Sequence, residues 1–271
     1  MTVDLTALWD FAHPACSEER MRATLATVSG DDALIVQTQI ARTFGLRGDF
    51  AHARQILAEI APSVEQAGGE ARARHALEWG RTLSSAVHRP ESQTEPVREA
   101  ARAAFVNALT IAQAEALDGL AIDALHMLAF VDSAPADQLR WGLQALAVME
   151  ASSQPAARQW EGSLRNNVGY ALHQLGRYAE ALAQFELAQV WRERTGSSAE
   201  SIRVARWMVA WTLRFLGRSD EALALQLQLE QACEAAGAPD PYVFEELEHL
   251  YRARNDMPRA DTYAVRRLAV R

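Results

Sequence analysis

The chain has 271 residues, 49% of them apolar and 23% charged, an ordinary composition for a globular protein with a large buried core. Its formal net charge of −8 argues against nucleic acid as the main partner. All 27 basic residues are arginine, which excludes a Schiff-base lysine or a phosphate-loop lysine and leaves anions to arginine forks, helix N-termini and backbone amides.

In chain order, residues 1–30 read as a capping helix pair. Pro14 separates VDLTALWDFAH from SEERMRATLATV, with Ser17 as the N-cap. Around Gly48, ARTFGLRGDFAHARQIL reads as two amphipathic helices joined by a tight turn. A second pair begins with HALEWGRTLSS, residues 75–85, and resumes with AARAAFVNAL, residues 100–109. Between them VHRPESQTEPV, residues 87–97, is polar and holds two prolines; it reads either as a solvent loop or as a lid over a groove. The third pair is DALHMLAFVDSAPADQLRWGLQAL, residues 123–146. The fourth turns at Gly176 within NNVGYALHQLGRYAEALAQF, the fifth at Gly217, and the sixth at Asn255. The turns recur at about 40 residues, and period-two strand patterns and hairpin dipeptides are missing.

Small residues at Gly169, Ala181 and Ala188 let antiparallel helices approach closely. Gly169 sits where the second helix must pass, Ala181 opposite it, and Ala188 where the next pair stacks. Tyr178 and Phe185 are expected to fill the space between pairs. These positions, with Gly176, resemble the tetratricopeptide repeat (TPR) signature. The match is fullest in the fourth copy; the fifth departs with Ala210 and Gln226, and the last keeps Ala260. The repeat is longer than the standard and is similar to the long-helix variant found in kinesin light chains, in bacterial peptide-sensing regulators and in other bacterial TPR proteins. The resemblance implies an all-α, right-handed solenoid of antiparallel helix pairs. It would run as one domain over residues 1–271, with residues 1–30 as the cap and about six repeats over 31–271.

Catalytic signatures are absent: no HExxH, G-x-S-x-G, paired CxxC or glycine-rich phosphate loop. Two acid–histidine pairs at i, i+3, Asp123 with His126 and Glu246 with His249, have metal-compatible spacing, but they lie in distant repeats. Cys16 and Cys233 read as ordinary packed thiols without a disulfide framework, which suits a reducing compartment. The start of the sequence lacks a basic region followed by an apolar run, and no apolar run reaches the length of a membrane span. The expectation is a cytoplasmic non-enzyme without cofactor or metal.

In a TPR solenoid the first helix of each pair lines the concave groove. Projecting that register gives Asn166, Tyr170 and His173 from copy four, with Ser163 beside them. It gives Arg203, Trp207, Trp211 and Arg214 from copy five, and Glu245, His249 and Arg252, with Tyr242, from copy six. Copy three supplies Asp123, Met127 and Phe130, with His126 in the small-residue slot. The copy-five helix must also bury a face, through Val204, Met208, Leu213 and Leu216. Trp207 and Trp211 are either core between repeats or a recognition surface, since Trp, Tyr and Arg dominate binding hot spots. The expected function is a scaffold or adaptor that binds a protein or peptide in the groove, without nucleic acid or membrane partners. The alternatives are a sensor of a small peptide or metabolite and a metal-dependent enzyme or enzyme subunit. The lysine–asparagine clamp with which some TPR domains hold acidic C-termini is not supported, because lysine is missing. Oligomeric state is not readable.

Overall fold

The computed structural model describes residues 3–270, and every regular element among them is helical. The chain folds as two compact units, Met1–Trp160 and Glu161–Arg271.

The first unit opens with a 3-10 turn, Thr6–Leu8, followed by α1 (Pro14–Leu25), α2 (Gly30–Leu46), α3 (Phe50–Val64), α4 (Gly69–Leu83), α5 (Glu95–Ala114), α6 (Asp118–Val131), α7 (Pro135–Ala151) and the single turn α8 (Pro155–Arg158). From α1 to α8 each helix packs on the next in chain order, and α2 also meets α4 as α4 meets α6. The second unit holds α9 (Glu161–Gln174), α10 (Tyr178–Arg194), α11 (Ala199–Phe215), α12 (Ser219–Ala235), α13 (Pro241–Ala253) and α14 (Met257–Ala269). It repeats the sequential packing, with α11 also touching α13.

The turns explain the spacing of the sequence markers. Gly176 has φ +73°, and Arg177 N–H closes the helix end by donating to Leu172 O at 2.9 Å. This left-handed residue satisfies carbonyls that the last helical turn leaves open. Asn255, at φ +58°, does the same between α13 and α14. The α5–α6 turn uses Ala116, at φ +53°, with no glycine to mark it in the sequence.

The small residues work as the spacing suggested, with one revision. A Cβ added to Gly169 would stand 2.7 Å from the Phe185 ring, so α10 can pass α9 only because that side chain is missing. Phe185 therefore fills the joint within its own pair instead of the space between pairs. Tyr178 does bridge pairs, its ring 5.0 Å from that of Phe215 on α11. Gly80 and Phe105 build the same joint in the first unit, the added Cβ 2.5 Å from the ring. Ala101 and Ala108 pack beside it in a core with Leu77, Ala124 and Leu128. The long connection between α4 and α5 thus leaves this joint intact.

Four further expectations are corrected. Of residues 1–30, the described residues 3–29 hold one α-helix after a 3-10 turn, not a helix pair. Ser17 lies inside α1, which starts at Pro14, and its Oγ accepts from Asp10 N–H at 2.7 Å and donates to Asp10 O at 3.0 Å. Cys16 is exposed, whereas Cys233 is buried. Val204 is exposed; Ala205, Met208, Val209, Thr212 and Leu213 form the buried face of α11 instead.

The connection between α4 and α5 is short of helix but well tied. It contains a 3-10 turn at Pro90–Ser92, and α5 begins at Glu95, inside the segment read as loop. His88 stacks on Phe50 with ring centroids 3.8 Å apart. Its Nε2 donates to Thr82 O at 3.1 Å while Nδ1 accepts from Ser85 Oγ at 2.9 Å. Gln93 Nε2 donates to Leu83 O at 3.0 Å.

Candidate functional site

In the second unit α9, α11 and α13 bring aromatic side chains into one row. Tyr170 and His173 stand one turn apart on α9, and Trp207 and Trp211 one turn apart on α11, so each pair shares a helix face. The Trp211 ring lies 6.3 Å from Tyr170 and 5.5 Å from Trp207, nearly parallel to both. Trp207 in turn meets the Tyr242 ring of α13 edge-on at 6.2 Å. The ends of the row are open to solvent, Tyr170 at 44% and Tyr242 at 63% exposure. Its middle, the two indoles, is half-buried.

His173 anchors the row from beneath. Its imidazole stacks on Trp211 at 3.4 Å and meets the edges of Tyr178 and Phe215. Burial, with the Arg214 charge adding to it, pushes this imidazole down to about 4, so it is neutral at physiological pH. Three polar atoms at the row are buried without a hydrogen-bond partner among the described residues: Asn166 Oδ1, His173 Nε2 and Trp207 Nε1. Buried polar groups are nearly always paired, so a cluster of orphans on an aromatic surface marks a place where a partner is missing.

Arg214, Glu245 and Arg252, expected in the groove, are engaged within the chain. Arg214 donates two parallel bonds to Glu246, both 2.7 Å, and that carboxylate is only 4% exposed. Glu245 accepts from Arg267 at 2.9 Å. Arg252 pairs with Glu248 at 3.1 Å and Asp261 at 3.4 Å. Arg203 is half-buried near the Cys233 thiol, and His249 is exposed. The structure therefore unites Tyr170, His173, Trp207 and Trp211, with Asn166 alongside and Arg214 bracing the base.

Asp123 belongs to the first unit and to a different constellation. Arg81 donates to Asp123 at 2.5 Å and to Glu78 at 2.6 Å, and Arg42 lies 3.6 Å from Glu78 and 4.0 Å from Asp123. Burial drives the Asp123 carboxyl up, but the charges of Arg81 and Arg42 outweigh it and hold the group below the ordinary value. His126 is lowered chiefly by burial, against the pull of Asp123. Arg42, Glu78 and Arg81 escaped the sequence reading. The signal that finds the two arginines is the position after the small slot: Arg42 follows Ala41 and Arg81 follows Gly80, as Tyr170 follows Gly169 and Trp211 follows Ala210. Read this way, one register position carries arginine on α2 and α4 and an aromatic ring on α9 and α11.

Among the described residues no three His, Cys, Asp or Glu side chains converge as a metal site, and no helix is long and apolar enough to cross a membrane.

Residues 160–235, spanning α9 to α12, match the tetratricopeptide repeat family model. Repeats of this family generally mediate protein–protein interaction. A crystal structure of BtubC (BKLC) from P. vanneervenii is similar at 13% identity and a TM-score of 0.43, covering 99% of this chain and 91% of that one. No curated protein matches the sequence.

Proposed function

We propose that the protein is a binding module that holds a peptide segment of a partner protein along the aromatic row of its second unit. The observation that carries this reading is the half-open row Tyr170–Trp211–Trp207–Tyr242 with unpaired hydrogen-bonding atoms at Asn166 and Trp207. Rigid aromatic rings supply contact area at low entropic cost, and a peptide backbone supplies both the donor and the acceptor that the orphan atoms lack. The charged flanks support orientation more than affinity, because their partners lie within the chain.

The test is selection from a random-peptide display library against the full-length protein, followed by titration of the enriched peptides. Trp207→Ala should stay folded and weaken binding by tenfold or more, the loss typical of a central aromatic anchor at about 2 kcal/mol. Enriched peptides that bind the variant as tightly as the parent would overturn the reading.

A further inference from the structure

A cavity of about 280 Å³ opens on the α2–α4–α6 face of the first unit. Leu46, Val87, Met127 and Phe130 give it apolar walls, and Arg42 and Glu78 lie among its polar lining. It is smaller than the usual range for drug-sized ligands, roughly 300–1,000 Å³, and suits a molecule the size of one residue.

Two features of the lining point to what the cavity takes. The Arg42 guanidinium, 24% exposed, donates no hydrogen bond among the described residues although it carries five N–H groups. Glu78 and Asp123 attract it, but both give their hydrogen-bonding oxygens to Arg81. What positions Arg42 is a pair of stacked rings, Trp9 at 5.5 Å and Phe11 at 5.4 Å, which hold the cation without taking up its N–H donors at hydrogen-bond strength. Glu78 shows the converse defect. It is buried, its Oε1 accepts from Arg81, and its Oε2 meets no donor among the described residues. A buried oxygen left in that state is a cost that a bound donor relieves.

The two arginines and two carboxylates cancel in charge, so a simple anion or cation meets a repulsive neighbour beside each attractive one. A zwitterion with its poles a few ångström apart gives each orphan its complement. We propose that this cavity binds a free α-amino acid with an apolar side chain. Its carboxylate sits on Arg42, its ammonium group on Glu78 Oε2, and its side chain among Leu46, Val87, Met127 and Phe130. This site lies wholly in the first unit and is independent of the peptide reading for the second.

The test is calorimetric titration of the full-length protein with L-leucine, L-phenylalanine and L-methionine. At least one should bind at one per chain. Removing either pole, as the amine without the carboxylate or the acid without the ammonium group, should weaken binding about tenfold or more. Arg42→Gln should abolish binding; it gives up the ion pairs to Glu78 and Asp123 but no hydrogen bond, so its folding is checked first by circular dichroism. Should that variant not fold, Phe130→Asp at the exposed rim replaces it and should show the same loss. The proposal is overturned if none of the three binds at up to about 10 mM or if either one-pole analogue binds as well as the amino acid. It is likewise overturned if N-acetylated, amidated residues bind equally, which would make the cavity a subsite for an internal peptide segment.

Discussion

Between the indole of Trp211 and the edges of Tyr178 and Phe215, the His173 imidazole has no room for a hydration shell, and its folded value is about 4 against 6.5 for a free side chain. The unfolded chain therefore binds a proton that the folded chain does not between those two values. Its contribution to stability is complete above pH 6.5 and falls as the pH drops toward 4. Urea unfolding at pH 7 and pH 5 should show this loss, and His173→Phe should flatten part of the slope. If the slope is unchanged in the variant, the ring is not held neutral by its neighbours. Arg214 presents the opposite case. Arg214→Ala leaves the buried Glu246 carboxylate without its partner and should cost about 3 kcal/mol in the same assay. Arg214 is for that reason a poor probe of ligand binding, and Trp207 a good one. Gly169→Leu should also destabilise, by about 1–3 kcal/mol, because its side chain must displace the Phe185 ring.

At the scale of elements, the connection from α4 to α5 shows how composition misleads about order. Its polar residues and prolines suggest a loop with little to bury, and nothing in those letters announces the stacking of His88 on Phe50. His88→Ala should speed amide exchange across residues 84–94 without shifting the Gly80–Phe105 joint. Equal exchange in the two proteins would mean the stacking does not hold the segment. The α9–α11–α13 face yields an expectation about salt. Arg214, Glu245 and Arg252 are paired within the chain, so peptide affinity at the aromatic row should change only several-fold between about 50 and 500 mM salt. A steep dependence would show that charges carry the binding.

For the whole molecule, helices without strands among the described residues predict a far-ultraviolet circular dichroism spectrum of almost pure helix. A substantial strand component would contradict it. The two compact units reuse one scheme, a helix pair joined at a left-handed turn and closed on a small residue, to present different chemistry. Arginines and carboxylates occupy the first unit's α2–α4–α6 face, and rings occupy the second unit's α9–α11–α13 face.

What the sequence determined by itself was the local geometry. Gly176 and Gly217 mark turns because only a left-handed residue closes those helix ends, and Gly169 marks a crossing because only a hydrogen fits beneath Phe185. Both constraints are local, or act between neighbours in the chain, and so leave a periodic trace. The same periodicity put Tyr170, His173, Trp207 and Trp211 on facing stripes. Tertiary structure alone decided how the charges are used. Whether Arg214 faces a ligand or Glu246, and whether Arg42 is satisfied or left with idle donors, depends on side chains about 30 to 80 residues away in sequence. Coulomb attraction and desolvation between such groups depend on distances of a few ångström, and a one-dimensional pattern does not encode them.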